Sequence, residues 1–120
     1  MQYAILIYET EQAFGNRTDA AQAEPYWGAY QAYAGALKQA GLDTSGGILQ
    51  PGHTGTTVRL KQGQRQVQDG PYADTKEQLG GFILIDVPDL DAALDWAARC
   101  PAASYGAVEV RPVLPAPAMA

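Results

Sequence analysis

The stretch DGPYADTKEQLGG, Asp69 to Gly81, gathers three acidic side chains, a lysine and a double glycine behind one tight turn. Gly70 can take a positive φ between Asp69 and Pro71, and Pro71 fixes the next φ and removes a donor, so the turn is rigid. A rigid turn at the base of a hairpin can hold the Asp69 carboxylate toward a cleft, where burial would tune it for proton transfer. Asp69 is therefore the candidate catalytic base. Its plainer alternative is an Asx-type turn residue bonded to its own backbone. Arg59 and Arg111 lie in strand-like stretches and suit a clamp on a carboxylate or enolate; pairing with Glu109 or Asp69 is the competing use. Tyr72 offers a hydroxyl that either donates in the cleft or reaches water. With Lys76 and Glu109, these residues form the candidate substrate-binding set around Asp69. Asp74 and Glu77 have capping-box spacing, which predicts a helical turn over Thr75 to Leu79 stopped by Gly80. The glycines lack Walker or dinucleotide spacing, so a phosphate loop is a poor reading.

Other chemistry-bearing residues read more blandly. His53, between glycines, is an expected exposed loop residue, and Cys100, beside Pro101, an expected small buried hydrophobe. Tyr26, Trp27, Tyr30 and Tyr33 make an aromatic-rich helix whose expected role is core and dimer packing. One histidine and one cysteine cannot assemble the clusters that hold zinc or iron, so no cofactor and no transition metal are expected; composition leaves carboxylate-bound magnesium or calcium open. Eight Lys+Arg against 13 Asp+Glu, a net charge of -5, argue against nucleic acid as a partner. The apolar run near the N-terminus is too short for a signal-peptide core or a membrane span, so a soluble cytoplasmic protein is expected.

These residues need a frame. At 120 residues the chain is expected to form one domain over residues 1–114 with an irregular Pro/Ala-rich tail over 115–120. QYAILIY reads as a first strand, and residues 9 to 23 as loop. A helix follows on Trp27, Tyr30, Ala34 and Leu37, stopped at Gly41. LDTSGGILQP holds a weak strand, and Thr56 to Gln68 alternates like a hairpin. FILIDV is apolar on both faces, and a helix capped by Asp89 should bury Leu90, Ala93, Leu94 and Ala97 before Pro101 ends it. AVEVRPV closes the order with Glu109 and Arg111 on one face. This order fits an α+β, ferredoxin-like antiparallel sheet with two helices on one face and an extra β-hairpin. The other face is apolar and needs cover, for which a second subunit is the simplest source and the C-terminal tail over centrally placed strands the alternative.

The run from DGPYADTKEQLGG through FILIDVPDLDAALDWAARCP to EVRPV, extended back through TTVRL to YAILIY, resembles the YCII-related family in its DGPF-domain branch. Tyr72 stands where that pattern usually has phenylalanine, and Asp74 where glutamate is common. The resemblance implies a homodimer of the dimeric α/β-barrel type and a small-molecule ligand, with metal-independent lyase or isomerase chemistry as one function. A non-catalytic ligand-binding or regulatory partner of an extracytoplasmic-function sigma factor is the other. It also implies a His and Asp pair, whose Asp half maps to Asp69; His53 does not match the context of the histidine half.

Overall fold

The computed structural model describes residues 1–116, apart from the side chains of residues 43 and 44. The expected tail over 115–120 thus falls mostly outside the described residues. The first strand, β1 (Gln2–Thr10), alternates as its sequence demands. Tyr3, Ile5, Ile7 and Glu9 are buried on one face, while Ala4, Leu6, Tyr8 and Thr10 are half-buried on the other. The chain does not then loop. Thr10 ends the strand and caps a short helix α1 (Glu11–Asn16), accepting a hydrogen bond from the Ala13 amide at 3.2 Å. This corrects the expected loop, because one threonine both ends the strand and starts the helix.

Helix α2 (Ala23–Gln39) stops as expected at Gly41, whose φ is +70°. The Gly41 amide donates to Lys38 and the Leu42 amide to Leu37, a Schellman closure that returns the chain to the sheet. Strand β2 (Asp43–Ile48) pairs with β5 (Glu77–Asp86), and between them β3 (Thr56–Lys61) and β4 (Gln64–Asp69) form a separate hairpin. Gln62 and Gly63 turn that hairpin, both at positive φ, the geometry that matches strand twist. Residues Thr75 to Leu79 form no helical turn. Strand β5 already begins at Glu77, because Glu77, Gln78 and Leu79 pair with Thr10, Glu9 and Tyr8 beyond a bulge. The ladder along β1 thus takes residues that local capping would have given to a helix.

Asp89 caps α3 (Leu90–Ala98) through the Ala92 amide, and β6 (Ala107–Pro112) completes a sheet of order β2-β5-β1-β6. The architecture is the expected ferredoxin-like α+β sheet with an inserted hairpin. The core joins Tyr3, Ile5, Ile7 and Ile85 of the sheet to Tyr33 and Leu37 of α2 and Ala93 and Ala97 of α3. Each fully buried aliphatic side chain such as Ile5 or Leu37 contributes about 1.5–3 kcal/mol. The expected stripe on α3 is only half right. Ala93 and Ala97 are buried, but Leu90 and Leu94 are exposed, since the small alanines let the helix approach the sheet closely and leave the leucines at its flank.

Candidate active site

Strand parity puts Glu9 on the same face as Tyr3, Ile5 and Ile7, so β1 carries a carboxylate into the core, where it is 1% exposed. A buried carboxylate is costly unless partners replace its water. Four donors do so. Arg17, the residue that ends α1, reaches Oε1 through Nη2 at 2.8 Å. Tyr26 and Tyr30, one turn apart on α2, present their hydroxyls together: Tyr26 stands 2.7 Å from both carboxylate oxygens and Tyr30 3.2 Å from Oε2. Tyr105, just before β6, donates to Oε2 at 2.6 Å. An ionised carboxylate offers about four lone-pair sites, so Glu9 is fully served.

The partners are held in turn. Arg17 donates from Nε to the Tyr26 hydroxyl, from Nη1 to the Leu49 carbonyl and from Nη2 to the Gly80 carbonyl as well as to Glu9. Its guanidinium lies over the Phe14 ring at 4.7 Å and near those of Tyr26 and Trp27. Burial opposes its charge, yet the bonds to Tyr26 and Glu9 outweigh that and hold its pKa above the ordinary arginine value. Burial, then hydrogen bonding to Glu9, raises the pKa values of Tyr26 and Tyr105 well above the usual phenol range. Burial does the same for Tyr30, helped by its contact with Tyr105. The three phenols therefore stay protonated as donors at neutral pH. Tyr105 gives its proton to Glu9, which leaves Tyr30 to share one proton between Glu9 and the Tyr105 oxygen 3.1 Å away. Tyr30 is the least committed hydroxyl of the cluster.

The double glycine has a role here. A Cβ on Gly80 would stand 2.8 Å from Glu9 Oε1, 3.1 Å from Phe14 and 3.2 Å from Arg17 Nη2, so only glycine leaves room for the ion pair. On β2, Gly46 and Gly47 likewise face β5 closely: a Cβ on Gly46 would stand 2.6 Å from the Phe82 carbonyl oxygen. The space these glycines leave adjoins a cavity of about 390 Å³ between α2 and the strands β1, β2 and β5. Tyr26, Trp27, Tyr30 and Tyr33 wall one side, and Glu9 with Arg17 makes its charged end. A mostly apolar cleft with a few convergent polar groups is the usual form of a small-molecule site.

The sequence-predicted residues lie elsewhere. Asp69 ends β4 opposite Thr56, exposed, beside Gly70 at φ +103° as the turn requires. Arg59 lies over the Tyr72 ring at 5.1 Å, and Tyr72 is 77% exposed. Lys76 is exposed in the bend before β5. These four residues share the hairpin side of the molecule. Glu109 and Arg111 pair with each other on β6, and Glu109 accepts from Tyr8 at 3.3 Å; both lie on the sheet face opposite the core. The structure thus does not bring Glu109 and Arg111 together with Asp69. His53 is exposed and Cys100 buried, as expected, with burial raising the Cys100 pKa. Among the described residues no group of three or more His, Cys, Asp or Glu side chains is placed to hold a metal ion, and no helix is long and apolar enough to cross a membrane.

Sequence reasoning passed over Glu9, Arg17 and Tyr105 and gave Tyr26, Trp27 and Tyr30 to packing. One signal was present: continuing the strand parity of Tyr3, Ile5 and Ile7 puts Glu9 inward, and an inward carboxylate demands donors. A model of the YCII-related domain matches residues 1–117. The chain belongs to the YCII-related family. It is 49% identical over 67 residues to an uncharacterized protein of Rhizobium meliloti (strain 1021), a match covering 54% of each chain. The match spans about half the length of that curated relative. Among solved structures, the chain resembles the 5-chloro-2-hydroxyhydroquinone dehydrochlorinase of Burkholderia phenoliruptrix AC1100 in complex with 2,5-dihydroxybenzoquinone. The TM-score is 0.55 with 17% identity, over 95% of this chain and 94% of that one. At that identity the likeness is one of fold.

Proposed function

We propose that this YCII-related protein binds a small aromatic or anionic molecule in the cavity ending at Glu9 and acts on it by metal-independent acid/base chemistry of the lyase or isomerase type. The observation that carries this reading is the convergence of three tyrosine hydroxyls and one guanidinium on a buried carboxylate at the end of an aromatic-walled cleft. Glu9 would accept a proton from the bound ring, and Tyr30, the least committed donor, would turn to the oxygen that gains charge. The dehydrochlorinase of similar fold is in complex with 2,5-dihydroxybenzoquinone, a small ring ligand of the class proposed here.

The geometry favours Glu9 over Asp69 as the centre, because Glu9 lies at the end of an aromatic-walled cavity while Asp69 is exposed. Asp69, Arg59, Tyr72 and Lys76 remain a proposed second contact surface beside the shallow depression at the hairpin base, which Gly70, Pro71 and Tyr72 line. Non-catalytic ligand binding has one observation in its favour: the four donors of Glu9 leave its carboxylate saturated until a ligand displaces one. We further infer a homodimer through the sheet face that carries Leu6 and Phe82, which α2 and α3 do not cover.

Calorimetric titration with hydroquinone, 2,5-dihydroxybenzoquinone and benzoate tests the site. Tyr30→Phe should weaken binding of at least one of them by roughly tenfold, the worth of one hydrogen bond to a charged site. Unchanged binding in Tyr30→Phe together with loss in Asp69→Asn would move the site to the hairpin base.

A further inference from the structure

The cavity that ends at Glu9 is polar at one end and apolar along the rest. Its two charged side chains, Glu9 and Arg17, pair with each other at 2.8 Å at the end beside Tyr26. From Tyr26 one wall follows α2 through Tyr30 and Ala34 to Leu37, a rise of about 16 Å. The opposite wall runs the same way. Ile7 and Ile48 both pair with Gly81, and Gly46 pairs with Ile83, two residues further along β5 from the Glu9 end. Past Tyr30 these walls offer little free polarity among the described residues. Tyr33 spends its hydroxyl on the Trp96 carbonyl at 2.9 Å, which leaves Ser45, at the far end beside Leu84.

Size and exposure tie this apolar stretch to the ligand. The cavity holds about 390 Å³. A bare dihydroxybenzene, at about the 30 Å³ that a water-sized unit takes in a liquid, leaves about a third of that space unfilled. Tyr33 and Leu37 are buried behind the stretch, whereas Ala34 is exposed at its rim and Ile48 is 69% exposed. Strand β2 brings little bulk to cover them, since Ser45, Gly46 and Gly47 precede Ile48. The stretch is continuous with the Glu9 end, so a molecule held at Glu9 reaches it with its own substituents. We propose that the ligand is amphipathic, a hydroxylated ring at Glu9 and Tyr30 carrying an uncharged apolar tail that lies along Ala34, Leu37 and Ile83. Such a tail takes the exposed apolar rim out of water, whereas a charged tail would lose its own water there without gaining a partner. The inference rests on the site proposed above and names the class of molecule it takes.

Calorimetric titration of the full chain with phenol, 4-methylphenol, 4-propylphenol and 4-pentylphenol tests it, because the para position sends the tail away from a hydroxyl held at Glu9. Wild type should bind about two- to fourfold tighter for each methylene added, the upper figure being full burial. Tyr30→Phe should weaken every member by a similar factor and keep the rise with chain length. Ala34→Phe, which narrows the apolar stretch, should flatten that rise, and a pentyl-length tail ending in a carboxylate should lose the gain in wild type. Phenol binding that depends on Tyr30 but does not tighten with chain length overturns the amphipathic ligand and leaves the Glu9 site standing. A rise that Ala34→Phe leaves unaltered puts the tail elsewhere and overturns it too. Phenols that do not bind, or that bind equally well in Tyr30→Phe, overturn the site itself and this inference with it.

Discussion

Two carboxylates, Glu9 and Asp69, mark opposite ways of placing a charge. Asp69 ends a strand of the hairpin, beside a glycine at φ +103°, and faces water. Its position follows from the DGP turn, Asp69 to Pro71. Glu9 lies in the body, and everything that makes it tolerable comes from distant sequence: Arg17 from α1, Tyr26 and Tyr30 from α2, Gly80 from β5 and Tyr105 from the approach to β6. A conspicuous local motif can therefore mark a turn, while a site is assembled by the sheet. The DGP turn and the LGG pair belong to one motif with separate duties: the first shapes the hairpin's base, and the second clears space beside Glu9.

The contrast predicts unequal responses to substitution. The largest is for Glu9→Gln, which leaves the Arg17 guanidinium buried against a neutral amide; urea unfolding should show a loss of about 3–5 kcal/mol. A loss below 1 kcal/mol would mean that the ion pair adds little beyond its burial. Gly80→Ala forces a methyl against Glu9, Phe14 and Arg17 and should cost about 1–3 kcal/mol, read from the same denaturation curves. Tyr105→Phe removes one donor from Oε2 and should cost about 1.5–3 kcal/mol at most, the range for a bond to a charged group. Asp69→Asn, by contrast, should stay within about 0.5 kcal/mol of wild type, as exposed positions do.

Alkaline titration sharpens the same comparison. Burial raises the phenols of Tyr26, Tyr30 and Tyr105 above their ordinary value of 10.0, so the folded state holds protons that the unfolded chain releases. Their contribution to stability is fully present below pH 10 and is lost as pH rises beyond it toward the folded values. The thermal midpoint should fall above pH 10, and Tyr26→Phe should make that fall shallower. Equal slopes in the two proteins would remove the phenols from the stabilising cluster.

The frame was more legible than the site. Strand alternation in QYAILIY, the Gly41 stop, the Asp89 cap and the Thr56 to Gln68 hairpin are local patterns, and each stands where the sequence placed it. Thr75 to Leu79 misled because capping spacing is local, whereas pairing of Gln78 and Leu79 with β1 depends on a strand distant in sequence, at Glu9 and Tyr8. Leu90 and Leu94 misled because helical period alone does not say how closely a helix approaches its sheet. The Glu9 cluster was hidden for the same kind of reason: its tyrosines have the spacing of a packing face, and only the inward carboxylate opposite them makes their hydroxyls a site.

A ligand-bound crystal structure tests the central claim most directly. Crystals soaked with 2,5-dihydroxybenzoquinone should show ring density in the cavity between α2 and the sheet, with a ring oxygen within hydrogen-bonding distance of Glu9 or the Tyr30 hydroxyl. Density confined to the hairpin base beside Asp69, with the Glu9 cavity empty, would contradict it.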